Sequence, residues 1–220
     1  TRGVKTRGNE NLTPETADTL TVGIIFTPSN NFSIAIDYWD MSIDDAITTY
    51  ASTDVLSNCV DGASLDSKYC DLVTRDANNQ IINVATQSIN VANFSASGTD
   101  IDTNYLLSLA EYGDLNFNLK GTYLNKRQYQ TNIEFPDIID EQAGEVGTPK
   151  LRGLLTTTYN LQDFTASWSM NYIGESDFDN DAVEGQYPEW FDNKVSAYAY
   201  HSLNFNYLAT DEIAVYAGID

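Results

Sequence analysis

The sequence predicts an all-β fold: an antiparallel sheet of about eight strands, apolar on one face and polar on the other, forming the wall of a transmembrane barrel. Three observations predict it. Residue polarity alternates with period two along most of the chain. The connections between alternating segments are short and long by turns. Aromatic residues cluster at the segment ends.

The strands follow in chain order. Leu20, Val22, Ile24 and Phe26 alternate with Thr19, Thr21 and Gly23. Phe32, Ile34, Ile36 and Tyr38 alternate with Ser33, Ala35 and Asp37; past Tyr38 the apolar phase moves to Trp39, Met41 and Ile43, which predicts a bulge. Ile101, Tyr105, Leu107 and Leu109 alternate with Asp100, Asp102, Asn104 and Ser108. Leu115, Phe117, Leu119, Gly121 and Tyr123 alternate with Asn116, Asn118, Lys120 and Thr122. Leu151, Leu155 and Tyr159 alternate with Lys150, Arg152, Thr156 and Thr158. The cleanest case is Phe164, Ala166, Trp168, Met170 and Tyr172 against Thr165, Ser167, Ser169 and Asn171. Leu203, Phe205 and Tyr207 against Ser202, Asn204 and Asn206, then Ile213, Val215 and Ala217, complete the set. No long amphipathic helix stands out.

The short connections are Pro28–Asn31, Glu111–Asp114, Asn160–Asp163 and Ala209–Glu212, all rich in turn formers. The long ones run from about Thr48 to Ser88, Gln128 to Thr148 and Gly174 to Val195. Such asymmetry belongs to outer-membrane barrels, with short periplasmic turns and long extracellular loops. Compact soluble domains rarely carry loops beyond ~12–15 residues.

Phe26, Phe32, Phe117, Tyr159, Phe164 and Tyr207 lie near the short turns, and Tyr38, Tyr123 and Tyr172 lie further up their strands. At ~3.3 Å per residue and ~40° tilt, the two groups bracket most of a ~25 Å apolar band. They read as two interfacial girdles.

Composition agrees. No apolar run reaches the ~18 residues a membrane helix needs, but a barrel strand needs only ~9–11 residues of alternating polarity. The 32 acidic against 11 basic residues, net −21, exclude nucleic acid as a partner. Disorder, the usual reading of such acidity, is opposed by 12 % aromatics. Thr1-Arg2-Gly3-Val4-Lys5 has no signal-peptide core, so the chain is mature or a fragment.

The acids gather in loops. One carries Glu134, Asp137, Asp140, Glu141 and Glu145; another carries Glu175, Asp177, Asp179, Asp181, Glu184, Glu189 and Asp192. The outward strand positions carry none, since charge there costs ~2–4 kcal/mol near the midplane. Lys150 and Arg152 are expected near the mouth, paired with neighbouring carboxylates.

Candidate chemistry is sparse. Cys59 and Cys70 suit a local disulfide in an oxidising compartment, or else two free loop thiols; two cysteines alone make no structural zinc site. Asp177, Asp179 and Asp181 resemble the opening of a calcium loop, but Ala182 and Pro188 stand where its Gly and Glu belong, so a solvated acidic loop is the simpler reading. Tyr187, Trp190 and Phe191 form a candidate stacking surface for a sugar or siderophore, or a loop packing on itself. His201, the sole histidine, falls on the outward side and suits packing better than catalysis. No catalytic residue, cofactor or resident metal is expected.

Several motifs carry a family resemblance. Gly8-Asn9-Glu10-Asn11-Leu12-Thr13-Pro14-Glu15 resembles the "GNxNLxPE" signature of TonB-dependent receptor barrels. It is followed, as there, by Gly23-Ile24-Ile25-Phe26-Thr27-Pro28 and by Phe32 to Trp39. Ser97-Gly98-Thr99-Asp100-Ile101 is similar to the family's "SGxD(I/L)" strand start; Gly121-Thr122-Tyr123-Leu124 and Asn171-Tyr172-Ile173-Gly174 match two further strands. The cysteine pair is similar to loop disulfides of some members.

The resemblance implies that residues 1–220 are part of one barrel domain, about the last third of a 22-stranded wall. The plug and TonB-contacting box are absent, and the sequence stops at Gly218-Ile219-Asp220 before the expected closing strands. It implies a bacterial outer-membrane receptor for a nutrient ligand of siderophore, cobalamin or carbohydrate class. Its partners would be outer-membrane lipid and lipopolysaccharide, the ligand, and TonB through the N-terminal region. A passive channel, an adhesin-like barrel and a soluble carbohydrate-binding β-sandwich are the alternatives; an acidic mouth favours neutral or cationic ligands.

Overall fold

Alternating polarity pays only when neighbouring strands place like residues side by side, and the strand register does this. The computed structural model describes residues 3–6, 8–61, 69–130, 139–183 and 185–220. In chain order its first elements are β1 (Gly3–Thr6), β2 (Thr16–Ser29), β3 (Phe32–Thr49), α1 (Ser52–Asp61), β4 (Val73–Arg75), β5 (Ile81–Thr86), β6 (Ser88–Ser108) and β7 (Asp114–Gln130). The rest are β8 (Asp140–Glu141), β9 (Leu151–Leu161), β10 (Phe164–Ile173), β11 (Ser176–Asp177), β12 (Lys194–Val195), β13 (Tyr198–Thr210) and β14 (Ile213–Ile219). Short 3₁₀ turns lie at Cys70–Leu72 and Ala110–Tyr112.

Eight long strands form one sheet in the order β14-β13-β10-β9-β7-β6-β3-β2, with β8 added beside β7. These are the eight strands expected, in up-and-down sequence. β2 and β14 are the ends of this order and do not pair with each other, so the sheet is open. A soluble sandwich needs a second sheet packed face to face at ~10 Å. Among the described residues the other sheets are one of three short strands and one of two.

The chain divides into two compact units. The larger comprises residues 19–40, 96–127 and 141–220. Its mainly apolar rows run across the strands: Phe117, Trp168, Leu203 and Ile219 share one, with Thr157 between Phe117 and Trp168, and Leu119, Leu155 and Met170 share the next, which ends on His201. The intervening rows are polar: Asn118, Thr156, Ser169 and Ser202 are partners, as are Asn116, Thr158, Ser167 and Asn204. Hydroxyls at Thr156 and Ser169, and at Thr158 and Ser167, lie 3.3 Å apart and link the polar rows. Apolar side chains such as Leu119, Leu203 and Phe205 stay about two-fifths exposed. Among the described residues nothing covers that face.

Rings band the short-turn end. Phe32, Tyr105 and Phe117 are spaced 6.3 and 6.2 Å, and Tyr159, Phe164 and Phe205 are spaced 6.5 and 6.4 Å. The Tyr159 hydroxyl donates to the Tyr112 carbonyl at 2.6 Å and so ties this band to a turn. That turn needs Gly113, whose φ is 90° and whose missing Cβ would sit 2.1 Å from the Asn160 carbonyl oxygen.

One expected feature moves. Asp37 lies over Gly23 and Trp39 over Gly98, the Trp39 ring standing 2.5 Å from where a Gly98 Cβ would be. Residues two apart share a face, so Trp39 is on the polar side with Asp37, and the alternation continues past Tyr38. The backbone irregularity in β3 is at Asp45, with φ 56°.

The smaller unit comprises residues 1–18, 41–95 and 128–140, and it holds the hydrophobic core. Tyr50, Val55, Cys59, Tyr69, Leu72, Val84, Ala85 and Ile89 are buried together. The first long connection is therefore not a plain loop. Val55 and Cys59 are spaced i,i+4 and direct one face of α1 inward. At 10 residues the helix depends on this packing. β5 pairs antiparallel with β4 and parallel with β1, which brings Val4 beside Val84. Tyr50 and Tyr69 meet edge to face at 5.5 Å. Burial, helped by the Tyr69 hydrogen bond, pushes the Tyr50 hydroxyl well above its ordinary range. Cys59 and Cys70 are joined in a disulfide, with Cα atoms 4.8 Å apart. Asn90 pins the segment before β2, its amide donating to Thr13 and Asp45 carbonyls at 2.9 and 2.7 Å.

The disulfide closes a loop of sequence separation 11, for which chain entropy gives about 3 kcal/mol. Replacing Cys59 and Cys70 by Ser should raise the rate of limited tryptic cleavage at Arg75 by about 100-fold where opening is in rapid equilibrium. An unchanged cleavage rate would show that the core holds this unit without the bond.

Candidate functional site

The long connections of the larger unit form a folded rim. Asp177 bridges two segments through its backbone: its N–H donates to the Gly144 carbonyl, and its carbonyl accepts from Val146, both at 2.8 Å. β11 and β12 pair antiparallel through Ser176–Val195 and Asp177–Lys194. Asn180 then stitches the other side. Its amide donates to the Glu141 and Ala143 carbonyls, and its N–H donates to the Glu145 carboxylate at 3.1 Å. Glu141 in turn accepts from the N–H groups of Arg127 and Ala143 at 3.0 and 2.8 Å.

Asp179 is the centre of the next turn. Its carboxylate accepts from the Asp181 N–H at 2.9 Å, the Gln186 amide at 2.9 Å and the Tyr187 hydroxyl at 3.0 Å. The Asn193 amide donates to its carbonyl at 2.8 Å, and its own N–H donates to the Asn193 side chain at 3.1 Å. The Tyr187 hydrogen bond, then that from Asp181, holds the Asp179 carboxyl below the ordinary carboxylate range. The same bond raises the Tyr187 hydroxyl.

This clamp carries an aromatic cluster. Phe191 sits 4.6 Å from Tyr187, 5.4 Å from Phe178 and 6.4 Å from Trp190. The three expected rings are thus brought together, and Phe178 is added. Trp190 is 83 % exposed, so the cluster presents an open indole face to solvent.

The calcium-like triad is not gathered. Asp179 is engaged within its loop, Asp177 is held in strand pairing, and among the described residues no three His, Cys, Asp or Glu side chains group as metal ligands. Glu134, Asp137 and Glu184 lie outside the described residues. Arg152 donates to the Gly147 carbonyl rather than to the carboxylate expected for it. Below the rim an open cavity of about 420 Å³ is lined by Tyr172, Glu175, Asp177 and Asn180, with Lys150 and Lys194.

Further from the rim, the polar face carries Asp37, Asp100, Asp102, Lys120 and Arg152 around a second open depression. Lys120 pairs with Asp102 at 3.4 Å, and Thr122 donates to Asp100 at 2.6 Å. Tyr198 and Tyr200, partners of Ile173 and Asn171, pack at 4.7 Å on this same face. His201 takes the opposite face, partnered by Met170 and stacked on Trp168 at 5.7 Å with 10° between planes. It is an apolar-row residue.

A model of the "TonB dependent receptor-like, beta-barrel" family matches residues 1–220. The chain belongs to this family. Barrels of this family reside in the bacterial outer membrane and serve as transport receptors rather than enzymes. The chain is similar in structure to a mutant of the ferric enterobactin receptor PfeA from Pseudomonas aeruginosa, with TM-score 0.60 and 16 % identity over 97 % of this chain and 26 % of that one. It is similar to the siderophore receptor PirA from Acinetobacter baumannii, with TM-score 0.60 and 13 % identity over 97 % and 28 %. The FrpB iron transporter from Neisseria meningitidis gives 0.59 and 11 % over 99 % and 28 %. The chain therefore spans about a quarter of the length of these receptors. No curated protein sequence matches it.

The rim contains residues that sequence reading passed over. Asn180 and Asn193 carry no periodic signal, although both stand next to Asp in turn-rich sequence where side chains bond backbone. Phe178 was hidden between two acids, and Tyr198 and Tyr200 stand just outside the alternating run read as a strand.

The Asp179 clamp has a signed pH dependence. Its folded pKa is lowered, so its contribution is complete above the unfolded value, about 3.9, and is lost as pH falls through the folded value. Trp190 fluorescence in the receptor should therefore shift below about pH 4. In Asp179→Asn the acid-range shift should be absent; its persistence would assign the transition to other carboxylates.

Proposed function

We propose that this chain forms the ligand-contacting rim and part of the wall of an energy-coupled outer-membrane receptor that takes up a small nutrient ligand. The long connections lie on the extracellular side and the short turns on the periplasmic side. TonB acts through a plug N-terminal to the wall, and the outward rows meet lipid, with lipopolysaccharide at the outer edge. The observation that carries this reading is the pairing of an uncovered apolar face with a folded acidic rim bearing the Tyr187, Trp190 and Phe191 cluster.

The physics supports each part. Rows such as Leu119-Leu155-Met170 expose apolar surface that water would not tolerate over many strands, and the ring band at the short-turn end is what an interface selects. A structured rim is pre-organised, which lowers the ordering cost of binding. The rim carboxylates repel anions over about a Debye length, ~8 Å, so the ligand is neutral or cationic. The family match favours a receptor over a passive channel or adhesin-like barrel.

Orientation is tested with epitopes in the full-length receptor. A tag inserted after Gly185 should bind antibody on intact cells, whereas one between Asp211 and Glu212 should bind only after permeabilisation. The reverse result sinks the assignment of sides.

The faces are tested by Met170→Arg and Ser169→Arg. Arg on the lipid face costs about 2–4 kcal/mol near the midplane. Met170→Arg should sharply reduce the heat-modifiable receptor recovered from outer membranes, and Ser169→Arg should leave it near wild type. Equal yields would remove the lipid-facing assignment.

A further inference from the structure

The bases of the larger unit are almost all spoken for. Lys120 pairs with Asp102 at 3.4 Å and Lys126 approaches Asp40 at 3.9 Å. Arg152 is held by the Gly147 carbonyl, and the Arg127 side chain donates to Gln142. The open cavity below the rim sets Lys150 and Lys194 against Glu175 and Asp177, so it offers no surplus positive charge. Anionic metal chelates are gripped by forked or clustered Arg and Lys donors. Among the described residues of the larger unit no such cluster is present.

What is present is of another kind. On the polar face of β10 and β13, three successive partner pairs are uncharged: Ser167 with Asn204, Ser169 with Ser202, and Asn171 with Tyr200. Together they make a sheet of hydroxyl, amide and phenol groups that both donate and accept. Tyr198 packs against Tyr200 at the rim end of this stripe; the two are 60 % and 57 % exposed. On the rim, Trp190 meets Phe191 with 80° between planes and is 83 % exposed, so most of its ring is open to solvent. A ring with a negative π-face accepts the polarised C–H face of a pyranose, while its polar edge reaches the hydroxyls. Two aromatic platforms, one of them at the end of an uncharged hydrogen-bonding stripe, match a ligand that carries many hydroxyls and no charge.

We propose that the ligand is a neutral oligosaccharide, taken first on Trp190 and then drawn along the Tyr198–Tyr200 stripe. This rests on the receptor reading above and narrows it to one substrate class. The acidic rim then works as a filter: it repels anionic competitors and is indifferent to an uncharged glycan.

The test uses the full-length receptor in detergent, titrated calorimetrically with maltohexaose, cellohexaose and xylohexaose, and with ferric enterobactin and ferric citrate as anionic chelates. At least one hexaose should bind, with affinity nearly unchanged on adding salt. Trp190→Ala and Tyr200→Ala should each weaken it by about tenfold or more, and Tyr200→Phe should lose less. Binding confined to a ferric chelate, binding of none of the probes, or hexaose binding indifferent to both Ala variants would overturn the proposal. So would a Tyr200→Ala variant with a lower melting temperature and unchanged hexaose affinity, since that face would then pack against protein. TonB-dependent uptake of a chelate would keep the receptor reading while removing this one; hexaose uptake that persists without TonB would do the opposite.

Discussion

Lipid offers the backbone no hydrogen bonds, so every polar group within the apolar band must find its partner in a neighbouring strand. That constraint organises the larger unit. It forces continuous pairing from β14 through β2, and continuous pairing fixes which side chains share a row. Once Trp168 is opposite Leu203 and Thr157, a slip of one residue would turn Ser167, Ser169 and Asn171 onto the apolar face. The cost of burying those hydroxyls and amides unpaired holds the register as firmly as the apolar contacts do. Stability here comes from the match between a strand pattern and its solvent, with no core between layers.

The smaller unit follows opposite rules. Around Tyr50, Val55 and Tyr69 the chain builds an ordinary water-excluding core, with a helix, a short sheet and a disulfide. A core this small buries little surface for each ordered residue, which is where a covalent link helps most. The parallel pairing of β1 with β5 joins residues about eighty apart in sequence. A single chain thus uses two stabilising strategies, one in each unit.

What the sequence disclosed follows from the same division. Period-two alternation is local, so all eight wall strands, their short turns and most of their faces were legible from residues such as Phe164 to Tyr172. The helix at Ser52–Asp61 was not, because Val55 and Cys59 are a weak signal until Val84 and Leu72 are brought against them. Trp39 was misplaced for a related reason: a large ring on a polar face imitates a change of phase, and only the space above Gly98 shows why it fits. In the rim, Tyr187, Trp190 and Phe191 could be picked out by type. Their support by Asp179 and Asn193 depends on side-chain bonds, to a hydroxyl and to the backbone, that leave no periodic trace.

The construction of the rim also explains how so many acids remain compatible with order. Glu141, Asp179 and Glu145 accept from N–H, amide and hydroxyl donors, and none of these bonds needs a cation. Lysine and arginine partners would have neutralised the surface they stabilised. Bonds from backbone N–H groups and from neutral side chains, at 2.8 to 3.1 Å, instead hold the loops while leaving the negative charge intact. Because these are short-range hydrogen bonds, salt screens them little, whereas the field of the unpaired charge decays within the Debye length. Order and charge are therefore set by separate groups of interactions. The aromatic cluster can keep its geometry over a range of ionic strengths while the field of the surrounding carboxylates varies around it.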